Sequence, residues 1–455
     1  LYFSLSFTFM TEVPFLLLCL LSVWSYWNFY ESPRPYHLFL ASAWAVAAIL
    51  LRQTGIGIPL VFMLVCVWSY KGQWRRAGWA LCSFILSISA LLGYIYWLKN
   101  AGQQSTNFSD SDTFLFWLMR WDVMAKLVDR SAQLTFYLGF FLLPLTLSLW
   151  TDNWNNTGSK PRKSAIYLAT ALTIYVVVLN PVLPVGNLIN NFSLGPWLLR
   201  DVDVAQNAPH ALSSLTWLML KMLGFLGIFL LIFTLACQYK RRKTDIDKLD
   251  SSNFLNRFGL LTALGYSLFL IPGRFFFDRY FLFLVPFMLF AILPAGKLLL
   301  SRTQVSLALL SLILMGWYSI AGTHDFLAWN RARWEALQAL EQEGISPADI
   351  DGGFEYNGWH GIGELKFNDP EGKSWWWIKN DSISVAARPI PCQELRRIIE
   401  YPSWLLARND SLFIVQKAHR EQQVSVYCDA EVLNARDSTL LATNMPGLYC
   451  SGGLS

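Results

Sequence analysis

Four short stretches hold the side chains able to do chemistry in an otherwise apolar chain. In FTFMTEVPF (Phe7 to Phe15) a carboxylate, Glu12, stands at the mouth of a long apolar run. In LLRQTGIGIPL (Leu50 to Leu60) Arg52 stands beside a glycine-rich break between two further apolar runs. FLFWLMRWD (Phe114 to Asp122) carries Arg120, and PGRFFFDRYFLFLVPF (Pro272 to Phe287) carries Arg274, Arg279 and Tyr280. A charge at full depth in a bilayer costs about 2.5–3.5 kcal/mol and is kept mostly for function. Guanidinium groups grip phosphate in a forked, permanently charged geometry. A carboxylate beside them is suited to take the proton of an acceptor hydroxyl. The set reads as machinery for transfer from a lipid phosphate. Glu12 would be the base, or the only candidate ligand for a divalent cation. No glycine-rich phosphate loop follows a strand, so a soluble nucleotide-sugar donor has no support.

Each residue alone has a plainer reading. Glu12 suits the first turn of a helix, where acidic residues gain about 0.3–1 kcal/mol, and Thr11 and Pro14 around it make an orderly helix start. Arg52 can snorkel from the end of its helix. Arg274 or Arg279 can pair with Asp278 in a surface salt bridge of little worth. Arg120 and Asp122 sit on what reads as an interfacial amphipathic helix, where basic residues ordinarily face water or head groups. Lys221, inside an apolar run, can snorkel or face a cavity. What favours chemistry is the group, each member beside a break and all on one membrane face.

The elements that must position these residues are membrane helices. Of 455 residues 54% are hydrophobic and only 15% charged, which excludes a water-soluble globule. The 21 tryptophans suit rings that sit at membrane interfaces. Apolar runs fall at 12–30, 37–51, 58–70, 77–97, 133–150, 165–187, 212–236, 258–272, 280–300 and 304–322, several of them reaching the roughly 20 residues a span requires. Connections 31–36, 71–76, 151–164, 237–257 and 297–303 hold 15 Lys and Arg, against 8 in 52–57, 98–132, 188–211 and 273–279. The first set is expected on the cytoplasmic side. Glu12, Arg52, Arg120, Arg274 and Arg279 then all face outward, as does everything after residue 322. The net charge of +5 is distributed by membrane side and offers no patch for nucleic acid.

Two domains are expected, a helical bundle over 1–322 and an extracytoplasmic α/β domain over 323–455. Phe326 to Glu343 has helical spacing, closed by Gly344 and Pro347. Ser382 to Ala387 and Ser411 to Val415 read as strands. Trp329 and Leu337 should pack inward, and the SWWWI run from Ser374 to Ile378 offers flat faces for a sugar or a membrane. Of seven cysteines, Cys19, Cys66, Cys82 and Cys237 behave as small apolar residues in helices. Cys392, Cys428 and Cys450 lie where oxidation is possible, and spacing does not choose a pair among them. The five histidines are too scattered for a metal site.

FTFMTEVPFLLL, LLRQTGIGIPL and FDRYFLFLVPF, in that order and on one membrane side, resemble the C-type polytopic glycosyltransferase superfamily. The nearest branches are the protein O-mannosyltransferases, the bacterial aminoarabinose lipid A transferases and related sugar transferases. The resemblance covers roughly residues 1–322. It implies a mainly α transmembrane bundle of about ten helices here, with a small outer C-terminal domain. It also implies an inverting transferase that moves a hexosyl or pentosyl group from a polyprenyl-phosphate donor to a hydroxyl of a glycan, lipid or protein. The setting would be the bacterial inner membrane. On this reading Glu12 matches the acidic residue of the second outer loop, and Arg52 the basic residue linked to the lipid phosphate. Arg279 and Tyr280 match the Arg-Tyr pair opening a late helix, and Arg120 lies in the loop that closes over the donor. The chain begins at Leu1 inside an apolar stretch, so it is expected to enter after the first outer loop, which in relatives carries the principal catalytic acid. Two other classes remain. A flippase for lipid-linked saccharides would show deeper charges and repeated halves. A receptor on an anchor would not need ten helices.

Overall fold

The computed structural model describes residues 11–69, 74–101, 121–155, 162–164, 166, 167, 170, 171, 174, 214–244, 251–272, 276–292, 301–361, 381–386, 393–405 and 407–417. It is mostly helical with one small sheet, and its described residues form two compact units, one ending at Gly316 and one starting at Trp317.

The first unit holds helices α1 (Glu12–Glu31), α2 (Pro35–Leu51), α3 (Gly57–Ser69), α4 (Trp74–Asn100), α5 (Trp121–Asn155), α6 (Ser214–Thr244), α7 (Ser251–Leu270) and α8 (Phe281–Ile292). It also holds the start of α9 (Arg302–Gln342) and two 3-10 turns, Gln53–Ile56 and Asp278–Tyr280. Among the described residues four helices are long and apolar enough to cross a membrane: α1, α4, Leu127–Leu149 within α5, and α9. Helices α2, α3 and α7 are shorter apolar elements. The expected run at 165–187 lies almost wholly outside the described residues.

An aromatic seam ties α1, α7 and α8 together. Phe15 stacks on Phe283 at 5.3 Å, and Phe283 meets Tyr266 at 4.4 Å and Phe287 at 4.7 Å. Helices α5 and α6 meet backbone to backbone. A Cβ on Gly139 would stand 2.6 Å from the nitrogen of Ile228, and one on Gly227 only 2.4 Å from the carbonyl of Gly139. Small residues at such crossings are how membrane helices gain close van der Waals contact without a hydrophobic drive. Hydroxyls join α1, α2 and α4: Tyr26 Oη lies 2.7 Å from Ser83 Oγ, and Ser83 Oγ lies 2.7 Å from Ser42 Oγ. Ser42 Oγ in turn donates to the carbonyl of Leu38 at 2.8 Å.

The sequence pattern places a break at residue 322, between an apolar run and a separate helix from Phe326. The structure instead carries one helix of 41 residues through both. Ala321-Gly322-Thr323 contains one glycine and no proline, too little to stop a helix whose next turns can pack.

In the second unit the later turns of α9 lay Trp329, Ala336, Leu337 and Leu340 against Ile350, Val385, Leu412 and Ile414. Trp329 and Leu337 are buried, as the helical spacing predicts. Strands β1 (Ile350–Asp351), β2 (Ile383–Ala386), β3 (Gln393–Ser403) and β4 (Arg408–Lys417) form a sheet in the order β1-β2-β4-β3. Helix α10 (Phe354–Gly361) follows β1. The β1–β2 pair is parallel and the other pairs antiparallel. The expected strands at 382–387 and 411–415 are present, the second extended at both ends. Arg333 is buried at 2% exposure between the rings of Trp329 and Trp334, with Glu355 accepting from its Nη2 at 3.0 Å. The SWWWI run and Cys392, Cys428 and Cys450 lie outside the described residues.

Candidate functional site

Glu12, Arg52, Arg279 and Tyr280 come from three widely separated stretches and meet within the first unit. Glu12 opens α1 and is 5% exposed. Its Oε1 accepts from Arg52 Nη2 at 2.6 Å and lies 3.2 Å from Arg279 Nε. One oxygen thus serves two guanidiniums. The Tyr280 ring lies 5.5 Å from both guanidinium carbons, and Phe277 lies 5.1 Å from that of Arg279. Rings so placed supply cation–π attraction on top of the ion pairs.

Local sequence explains each placement. Arg52 ends α2 in an extended conformation, and the Gln53–Ile56 turn folds straight back onto that helix. The fold-back needs Gly55, because a Cβ there would stand 3.0 Å from the backbone of Ala48 and Ile49. Arg279 sits in the 3-10 turn that leads into α8, held away from regular helix by the extended Phe277 before it. Arg130 of α5 supports that approach from the side, donating through Nη1 to the Ile271 carbonyl at 2.9 Å and covering the Phe276 ring at 5.4 Å.

Glu12 does stand in the first turn of α1, as the helix-start reading has it, and it pairs with two arginines as well. Thr11 occupies the cap position without making a side-chain capping bond, and its hydroxyl instead accepts from Arg52 Nε at 2.9 Å. Nor is Arg52 snorkelling freely: Thr11 and Glu12 hold two faces of its fork. Asp278, the alternative partner for an arginine, is fully buried rather than on a surface. Arg120 and Arg274 lie outside the described residues, and so does the side chain of Lys221.

Sequence reasoning missed three contributors. Thr11 was legible only as a cap. Arg130 looked like one more loop charge. Tyr266 of α7, which interacts electrostatically with Arg52, Tyr280 and Glu12, gave no signal in an apolar run. Two buried oxygens at this corner accept no hydrogen bond, Glu12 Oε2 and Thr54 Oγ1 of the turn beside Arg52. Glu12, Arg52 and Arg279 leave one carboxylate oxygen unsatisfied, and the buried Asp278 carboxylate stands next to Arg279 in the same turn. A divalent cation is poorly served there. Two guanidiniums already fill the field of Glu12, and no three acidic, His or Cys side chains gather anywhere among the described residues.

No protein-family model, curated protein or solved structure matches this chain. The class defined by fold and site is therefore a mainly helical protein with apolar helices able to span a membrane, a buried carboxylate paired with two partly exposed arginines, and a small α/β unit.

Proposed function

We propose that this chain is an integral-membrane glycosyltransferase that moves a sugar from a polyprenyl-phosphate donor to an acceptor hydroxyl, with inversion, on the extracytoplasmic face. The observation that carries the reading is the Glu12–Arg52–Arg279 cluster, a buried carboxylate with one oxygen unsatisfied, held by two partly exposed arginines. Arg52 and Arg279 would face the phosphate and stabilise the negative charge that grows on it as it leaves. Glu12 Oε2 would take the proton of the acceptor hydroxyl. The acceptor oxygen forms its bond to the anomeric carbon as the bond from that carbon to the phosphate oxygen breaks, and the electron pair departs with the phosphate. Tyr280 braces both guanidiniums; Arg120 is assigned to the donor phosphate on the resemblance alone, and Arg274 on its place among the grouped charges of the sequence. We assign the ten apolar runs to one polytopic bundle, residues 323–455 to its outer side, and the acceptor to a glycan, lipid or protein.

The test is reconstitution of the full-length protein in proteoliposomes with polyprenyl-phosphate sugars extracted from membranes, followed by measurement of released polyprenyl phosphate. A transferase releases it and a flippase does not. Arg279→Gln, which loses one charge-assisted contact worth about 1.5–3 kcal/mol, should lower that release at least about tenfold. Sugar lipid crossing the bilayer with no polyprenyl phosphate set free would replace the transferase with the flippase.

A further inference from the structure

We propose that the tip of the β3–β4 hairpin is a headgroup site for anionic phospholipid, seating the second unit on the membrane interface. The inference does not rest on the transferase reading. It begins with α9, whose Leu309, Leu310, Leu312, Ile313, Leu314 and Trp317 are each 53–65% exposed. Residues 309–314 cover more than a full turn, and all but Ser311 are exposed, so most of the helix circumference here suits surrounding lipid tails. From Ala328 onward the same helix buries one face on the sheet. The change from lipid to water therefore falls within a few turns of Trp317.

The hairpin tip is fastened to the helix at that level. Asp325 accepts from Ser403 Oγ at 2.7 Å, from the Trp404 backbone N–H at 2.7 Å and from that of Leu405 at 3.0 Å. The His324 ring stacks on Trp404 at 3.9 Å and 12°. Ala407 completes the turn with φ of 52°, a conformation an alanine adopts only when its surroundings impose it. Between tip and helix lies an open pocket of about 500 Å³, lined by Trp317, Ser403, Trp404, Arg408 and Asn409.

The lining chemistry fits a lipid headgroup at the polar–apolar boundary. Trp317 and Trp404 are 56% and 54% exposed, large amphipathic rings of the kind that settle at headgroup depth. Arg408 makes no ion pair with a described residue, which leaves its forked cation for a phosphate. Asn409 is spoken for, donating to Glu400 at 3.1 Å. An exposed tryptophan held by a buried aspartate and a stacked imidazole is expensive to build for contact with water alone.

The experiment places p-benzoylphenylalanine at Trp404 or at Leu405 of the full chain, in nanodiscs of phosphatidylcholine with or without phosphatidylglycerol, and weighs the photoadducts. Leu405 leaves the His324–Trp404 stack intact if the first variant folds poorly. Trp359, 82% exposed on the same unit, is the control. We expect lipid adducts at 404 and 405 but not at 359. Phosphatidylglycerol should be enriched over its share by about fivefold, the weight of one arginine at an anionic surface. Arg408→Gln should bring that enrichment to parity. Labelling at 404 and 405 no greater than at 359 overturns the proposal. So does labelling without a headgroup preference, or a preference that survives Arg408→Gln.

Discussion

Glu12→Gln removes one negative charge and keeps the side chain's size, so its cost reads the electrostatics of the cluster directly. In the native protein Oε1 lies 2.6 Å from Arg52 Nη2 and 3.2 Å from Arg279 Nε, on a residue only 5% exposed. Without the charge, two guanidiniums that shared one oxygen remain roughly 6 Å apart or closer, a repulsion of about 3 kcal/mol at an effective dielectric near 20. The exposure of the Arg52 side chain, 24%, trims this figure. Breaking a buried pair by removing one partner generally costs about 3–5 kcal/mol, so a loss of about 2–4 kcal/mol is expected here. Thermal unfolding in detergent can be followed by a thiol-reactive dye, because unfolding uncovers the buried thiols of Cys19 and Cys66 above the constant signal of the exposed Cys82. Glu12→Gln should lower the midpoint by roughly 5 °C or more. Glu12→Gln with Arg52→Gln removes the stranded like charge, so the double variant should be more stable than the two single losses added together, by about 2 kcal/mol. Strict additivity would refute the reasoning: the three groups would then be neighbours without an energetic bond.

Two further outcomes follow from packing and from titration. Gly139→Leu drives a side chain into the backbone of Gly227 and Ile228, which cannot yield, and should cost more than about 3 kcal/mol and the monodisperse peak in size-exclusion chromatography; Gly265→Ala, with nothing within 4 Å of its Cβ, should change neither. Burial, and then the 2.6 Å bond to Glu341, hold the Tyr356 phenol above the ordinary tyrosine value of about 10. The folded state thus keeps a proton that the unfolded state gives up, so this contribution is complete below about pH 10 and is lost as pH rises past it. Tyr356→Phe should flatten that alkaline loss in melts recorded by circular dichroism.

The convergence of Glu12, Arg52 and Arg279 could be read in the sequence because each charge interrupts an apolar context at a Gly or Pro break, where a bundle keeps a charge only for a partner or a ligand. What could not be read was which atom meets which. The glycine at position 55 gave the break but not the fold-back it permits, and Tyr266 looked like any aromatic in an apolar run. In the second unit β2 and β4 carried alternating or continuous apolar signals, whereas β3, QELRRIIEYPS, carried charges and a proline. It is an edge strand, and edges are built with charges and proline to discourage further pairing. The same protection hides such a strand from a pattern search. The 41-residue α9 was read as two pieces because its composition changes midway, although its backbone does not.

The hydroxyls that join α1, α2 and α4 have a polarity. Each carries a single proton, and Ser42 gives its own to the Leu38 carbonyl, which can only accept. Ser42 must then accept from Ser83, and Ser83 from Tyr26, so the relay runs one way, from the phenol to the backbone. Its links are therefore unequal under mutation. Phenylalanine at position 26 removes only the head of the relay and leaves every remaining proton with somewhere to go. Alanine at position 83 takes the nearest acceptor from a buried phenol, leaving it Ser42 and Ser22, and alanine at position 42 strands the proton of Ser83. Drift at these three positions should accordingly be lopsided, with Tyr26 free to lose its oxygen long before either serine can.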